Sequence, residues 1–264
     1  MRGNSITFLG SAGDTTSVGK QLRASGGIVI NYNNSQMHID PGPGALCQYK
    51  NCRISPRNTI SLIVTNNDLA YCGDTNAVVS AMTHDGLDRR GVLVGSRSVI
   101  NGTADDSPIL WNRFSSFLEK NIPLDQGQRI GINEYDIHAI PSFSSDPTGF
   151  GLIINTPEFK IVYSSNTKFS DKLAEAYGGC DVLILKAEIP EEEEGNDSMT
   201  LDQASSIINE CIPRVAILTG FGAKMIYNDP LYLAKQIHKK TGVYVIAAQD
   251  GMSIDPVDYS KPRK

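Results

Sequence analysis

Ile63-Val64-Thr65-Asn66-Asn67-Asp68-Leu69-Ala70-Tyr71-Cys72-Gly73-Asp74 is the stretch on which the reading of this chain turns. Ser61–Val64 is a short apolar run bounded by polar residues, the pattern of a buried strand. Thr65 closes it and a polar loop follows. Gly73-Asp74 then opens a helix expected over Thr75–Met82, with a capping carboxylate at its start. A strand, a loop and a helix in this order present the loop side chains at the strand's end. Those side chains are two amides, one carboxylate and one phenol, with no histidine among them.

Outward from this loop, short β-rich runs alternate with helical segments and turn residues punctuate them. Strands are expected at Ser5–Leu9, Gly27–Tyr32, Gln36–Ile39, Ser61–Val64, Gly91–Val94, Gln128–Ile132, Asp136–Ile140, Gly149–Asn155, Lys160–Ser164, Val182–Lys186, Val215–Leu218 and Val243–Ala247. Helices are expected at Thr75–Met82, Ile109–Lys120, Lys168–Tyr177, Leu201–Glu210 and Pro230–Lys240. Thr200 with Gln203 forms a capping-box signature, and Asp229-Pro230 is a cap followed by proline at the first helical position. Asn33-Asn34 and Thr156-Pro157-Glu158 join two expected hairpins. Hairpins with flanking helices suit two mixed sheets packed face to face with helices outside. No linker divides the chain, so a single domain over 1–264 is expected.

Apolar residues make up 40% and charged residues 20% of the 264, the balance of a globular protein with an ample core. The net charge of −5 argues against a broad nucleic-acid footprint. No apolar run approaches the roughly 18 residues of a membrane helix, and no signal-peptide pattern precedes the first strand. A cytoplasmic location is therefore expected. The five cysteines, Cys47, Cys52, Cys72, Cys180 and Cys211, lack CxxC spacing and fit neither a disulfide framework nor a zinc finger. Cys47 and Cys52 lie on an expected helix and loop. His38, His84, His138 and His238 are scattered, without metal-ligand spacing. His84 is expected to cap a helix, and His238 to lie on an exposed face. The acidic run Glu191–Asp197 reads as a solvated loop. Gly10-Ser11-Ala12-Gly13 lacks the Gly-Lys-Ser/Thr ending of a phosphate loop.

Several segments, in order along nearly the whole chain, resemble the metallo-β-lactamase-fold hydrolases. Phe8–Gly13 resembles the opening strand and glycine turn, Ser25–Ile30 the second strand entry, and His38–Gly44 the family's Asp-x-Gly turn. Ile63–Asp74 stands where the family has Thr-His-x-His-x-Asp-His-x-x-Asp. Pro141–Gly151 resembles the segment bearing a later histidine, and Ile161–Thr167 the strand that ends in a bridging aspartate. Ser198–Ala204 resembles a His-Met-Thr-x-x-x-Ala helix start, and Ile217–Gly222 the closing Leu-Thr-His-Phe. The resemblance implies an α/β (α+β) fold: a four-layer αββα sandwich of two mixed β-sheets flanked by helices.

The family holds one or two Zn, Mn or Fe ions, which acidify a bridging water and polarise the scissile bond. Carried across, the loop ligands fall on Asn66, Asp68, Ala70 and Tyr71. The middle histidine falls on Ser144, with Ser142 and Ser145 as neighbouring alternatives. The bridging aspartate falls on Asn166, the last histidine on Gly220, and an extra histidine of the nuclease-like branch on Ser198. Only Asp68 is a good divalent-metal ligand. Asn66, Ser144 and Asn166 are neutral oxygen donors, weak for transition metals, and Ala70 and Gly220 offer no side-chain donor.

No family-type di-metal centre and no catalytic residue are therefore expected. Asp40, Asn66, Asp68, Tyr71, Ser144 and Asn166 should converge on one cleft, with Asp40, Asn66, Asp68, Tyr71 and Asn166 as candidate ligand contacts. The expected role is a pseudo-hydrolase acting as a binding, scaffolding or regulatory subunit. Its expected partner is a protein, an intact homologue or a second copy of the chain, rather than a membrane or nucleic acid. Two alternatives stay open. One is a hydrolase of phosphodiester, thioester or lactone-like bonds with an atypical single-metal or metal-free site. The other is a small-molecule sensor using the same cleft.

Overall fold

Asn33 and Asn34 both adopt positive φ, 48° and 64°. This left-handed pair, which asparagine tolerates better than most residues, matches the twist of a two-residue hairpin. It joins β2 (Ile28–Tyr32) to β3 (Ser35–Ile39) in a computed structural model that describes residues 3–192 and 198–260. Before them runs β1 (Ser5–Phe8). The chain continues through β4 (Thr59–Val64), β5 (Val92–Gly95), β6 (Lys120–Pro123), β7 (Arg129–Ile132), β8 (Tyr135–Pro141), β9 (Phe150–Asn155), β10 (Lys160–Tyr163), β11 (Val182–Lys186), β12 (Val215–Thr219), β13 (Tyr244–Ala247) and β14 (Ser253–Ile254).

These strands form two seven-stranded sheets, ordered β14-β1-β2-β3-β4-β5-β6 and β13-β12-β11-β10-β9-β8-β7. Both are mixed. β3 through β6 are parallel in the first, and β10 through β13 in the second. The central parallel strands β4, β11 and β12 are buried on both faces, as continuous apolar runs require. In β4, Ile63 faces the other sheet, while Leu62 and Val64 face the helices Ala45–Asn51 and Thr75–Thr83. In β11, Ile184 lies between the sheets. Leu183 and Leu185 pack under Leu201–Cys211 and Pro230–Thr241. Helices, two sheets and helices give the four expected layers.

The expected strands recur with ends shifted by a residue or two, while β6 and β14 were not anticipated. The helix expected over Ile109–Lys120 is corrected: only Asn112–Ser115 is helical, and Lys120–Pro123 pairs in parallel with β5. Sheet pairing outcompetes a segment whose Ser115-Ser116 offers little helical preference. The helix expected from Lys168 begins at Lys172, because the Lys168 N–H donates to the Phe143 carbonyl at 2.7 Å. The Thr200/Gln203 capping box forms, Asp229 caps Pro230–Thr241, and His84 is a left-handed C-cap. Residues 193–197 of the acidic run lie outside the described residues. Among the described residues no helix is long and apolar enough to cross a membrane.

Candidate functional site

β3, β4, β10, β11 and β12 all run toward one end of the sandwich, and the loops after them supply the candidate residues. In open α/β sheets this carboxyl end is where ligands gather. Asp40 follows β3 in a left-handed conformation, φ 54°. Gly42 lets its turn meet the neighbouring loops, since a Cβ there would lie 2.0 Å from the Ala70 carbonyl oxygen and 2.2 Å from that of Ser25.

The Asp40 carboxylate is buried and fully engaged. Oδ1 accepts from the Thr65 N–H at 2.8 Å and the Thr65 hydroxyl at 3.0 Å, and Oδ2 accepts from the Tyr163 phenol at 2.9 Å. Burial pushes its carboxyl up to about 7, against the pull of these donors and of the Lys186 charge. Behind it, His38 donates from Nε2 to the Gly26 carbonyl at 2.7 Å and accepts from the Tyr49 phenol at Nδ1, 3.0 Å. These partners assign the neutral imidazole. Burial lowers its ring to about 4.

The loop residues find partners of their own. Asn66 is fully buried; its Nδ2 donates to Ser144 Oγ at 3.0 Å and its Oδ1 accepts from the Asp68 N–H at 2.8 Å. Asp68 Oδ1 accepts from the Ala70 N–H at 3.0 Å and so caps the short helix Leu69–Cys72. Ser142 Oγ donates to the Asn166 carbonyl, and Ser198 Oγ donates to Glu188 Oε1 at 2.9 Å. Ser145 is exposed.

The cleft itself is lined by Asp40, Ala70, Tyr71, Tyr163, Lys186 and Gly220, together with Gly10, Ala12, Gly13, Ser25 and Thr219. At its centre stands a residue the sequence reading did not single out. Lys186 Nζ lies 2.6 Å from Glu188 Oε2, 3.0 Å from Asn166 Oδ1 and 5.2 Å from the centroid of the Tyr71 ring. Only 8% of its side chain is exposed. Burial works against its charge, and the Glu188 carboxylate opposes burial and keeps the ammonium charged. Burial likewise pushes the Tyr71 phenol up, with Lys186 opposing. The pair is therefore a charged lysine beside a neutral tyrosine. The signal in the sequence was a lysine ending the apolar strand Val182–Lys186, where a buried charge needs a partner close by.

Asp146 was also missed. It is buried, and accepts at Oδ1 from Ser98 Oγ, the Thr148 N–H and Thr148 Oγ1, and at Oδ2 from Ser96 Oγ and the Asn67 N–H. It ties the Ser144 loop to the loops after β4 and β5. Ser144, Ser145 and Asn166 also border a shallower hollow of about 150 Å³ with Phe143, Thr167, Lys168 and Ser198. Phe150, Phe159 and Phe221 are buried core residues, while Phe143 is 41% exposed.

These residues do not fit a pair of transition-metal ions. Among the described residues no group of three or more His, Cys, Asp or Glu side chains is placed to hold a metal. Asp68 is spent on a helix cap and Asn66 on Ser144. A dication in the cleft would meet a buried ammonium, a repulsion that low dielectric strengthens.

Residues 37–221 match the model of the beta-lactamase superfamily domain. Over 252 residues the chain is 30% identical to the uncharacterized protein MJ1374 of Methanocaldococcus jannaschii, covering 95% of this chain and 94% of that one. Among solved structures, it is similar to the metallo-beta-lactamase fold protein YhfI from Bacillus subtilis. The TM-score is 0.80 at 14% identity, over 96% of this chain and 99% of that one. It is also similar to the short form of human tRNase Z, with a TM-score of 0.68 at 14% identity over 95% and 98%. At these identities the two structures speak for the fold alone.

Proposed function

We propose that this chain, which belongs to the beta-lactamase superfamily, is a non-catalytic member of it that serves as a binding, scaffolding or regulatory subunit. The observation that carries this reading is Lys186. Its ammonium stands in the cleft lined by Ala70, Tyr71 and Gly220, three of the former ligand positions, and is neutralised there by Glu188 rather than poised for chemistry. A metal-bound water needs three or four good donors around the ion, and the former ligand positions supply amides, a hydroxyl and a phenol beside the single carboxylate of Asp68. The buried donors and acceptors around Asp40 and Asn66 are matched to one another, as a polar cluster retained for structure must be.

Cleft size favours this reading over a small-molecule sensor. The cleft admits about 30 Å³, on the scale of one water, whereas pockets for drug-sized ligands run to roughly 300–1,000 Å³. Against a metal-free hydrolase stands Asp68, the carboxylate otherwise suited to act as base, which is held by the Ala70 N–H. The subunit is proposed to act in the cytoplasm, without a metal cofactor, beside an intact homologue or a second copy of itself. The test is the metal content of protein expressed with added zinc, manganese and iron. Well under one ion per chain is expected. One or more ions per chain, lost on Asp68→Ala substitution, would overturn the proposal.

A further inference from the structure

In a metal-bearing relative, ligand carboxylates are neutralised by the ions they hold. Here Glu188 is 14% exposed and Asp40 is buried, and an anion so placed without a counterion is costly. The lysine meets that need from within the chain. Its stem also occupies space. Lys186 and Thr219 are paired in register between β11 and β12, which sets the lysine beside Gly220. A Cβ on Gly220 would lie 2.5 Å from Lys186 Cγ and 3.2 Å from Cδ, and Gly220 takes a φ of +64°. The lysine stem thus stands where a side chain at 220 would begin.

We propose that Lys186 is a resident cation: its ammonium neutralises this cleft in place of a metal ion, and it and a histidine at position 220 exclude one another. The inference rests on the non-catalytic reading and adds what maintains it. Losing ligands is one barrier to metal binding; a fixed ammonium with its stem across the last ligand position is a second. Restoring the donors alone should then leave the site closed to metal. Removing the lysine should leave an anionic hollow, bordered by Glu188, Asn166, Asp40 and Tyr71, that accepts a small cation from solution.

Thermal unfolding of Lys186→Ala at constant ionic strength provides the first test, with ammonium, methylammonium or tetramethylammonium chloride as probe. Ammonium and methylammonium should raise its midpoint with concentration, while the wild type stays flat and tetramethylammonium does nothing. Lys186→Ala/Glu188→Gln, which removes the carboxylate 2.6 Å from the missing ammonium, should lose the response. Equal responses to all three salts, or a Lys186→Ala protein that ammonium cannot rescue while the double variant folds, would overturn the inference. The second test is zinc content of the chain carrying Asn66→His, Asp68→His, Ala70→Asp, Tyr71→His, Ser144→His, Asn166→Asp and Gly220→His. Uptake is expected only when Lys186→Ala is added, and equal uptake with Lys186 in place would refute mutual exclusion. If neither restored chain folds, the ammonium titration decides. Stoichiometric metal in the wild type would instead defeat the non-catalytic reading, whereas a flat titration with a metal-free wild type defeats only the resident cation.

Discussion

Lys186 Nζ and Glu188 Oε2 are 2.6 Å apart, with 8% and 14% of their side chains exposed. Each is the other's counterion in a part of the fold from which water is nearly excluded. Removing one partner strands the other. Lys186→Met is therefore expected to cost about 3–5 kcal/mol, the range for a buried pair broken from one side. Lys186→Met/Glu188→Gln should recover much of that loss, since an uncharged pair leaves no orphan. Urea unfolding of the two variants checks both statements, and an undiminished wild-type midpoint for Lys186→Met would contradict the first.

Asp40 and His38 should tilt the stability of the protein against pH in opposite directions. Asp40 titrates at about 7 when folded against an ordinary value of 3.8, so the folded state holds the extra proton between them. Its contribution is full below about 4 and is lost as pH rises to about 7. His38 titrates at about 4 when folded against 6.5, so the unfolded state holds the extra proton. Its contribution is full above about 6.5 and is lost as pH falls toward 4. Asp40→Asn should unmask the histidine, making stability rise with pH across this window more steeply than in the wild type. Denaturation midpoints at a series of pH values would show it, and parallel curves would exclude the assignment.

Gly220 and Lys186 should be energetically coupled. Gly220→Ala meets two costs. The left-handed backbone alone is worth roughly 1–2 kcal/mol, and the new Cβ must displace the lysine stem. In a Lys186→Ala background only the backbone cost remains. A double-mutant cycle is expected to show a coupling of about 0.5–3 kcal/mol, as for residues in contact. Strict additivity would place the two side chains apart.

Asp146 should matter more to stability than its neighbour Ser145. Asp146→Ala leaves the Ser96, Ser98 and Thr148 hydroxyls and two backbone N–H groups without their acceptor. An orphaned buried polar group costs about 1–3 kcal/mol, and water entering the gap offsets part of the sum. A loss near 3 kcal/mol on chemical unfolding is expected, against less than half of that for Ser145→Ala, whose side chain is exposed.

Part of the candidate site was legible in the chain before it was folded. Asn66 and Ser144, 78 positions apart, were expected to meet and are hydrogen-bonded at 3.0 Å. Asp40, Tyr71 and Asn166 were expected at one cleft; Asp40 and Tyr71 line it, and Asn166 reaches it through Lys186. Asp68 was expected to point there as well, but its nearest donor is the Ala70 N–H two residues on, and a local cap needs no distant partner. The Ile109–Lys120 helix failed for a related reason: local preference was weak, and an edge of β5 was available for Lys120–Pro123 to join.

The sequence by itself determined the alternation of strands and helices, the hairpin at Asn33-Asn34, the capping box at Thr200 and the absence of histidines from the loop after β4. Each of these is set within a few residues, by side-chain periodicity and by backbone conformations that particular residues allow. Tertiary structure decided which charge stands in the cleft. Lys186 ends an apolar strand like many lysines at a sheet's rim. Only the register of β11 against β12 and the closing of the Asn66–Tyr71 loop set its ammonium among Glu188, Asn166 and Tyr71. A charge's effect depends on its distance to other charges and to water, and those distances exist only once the two sheets have packed.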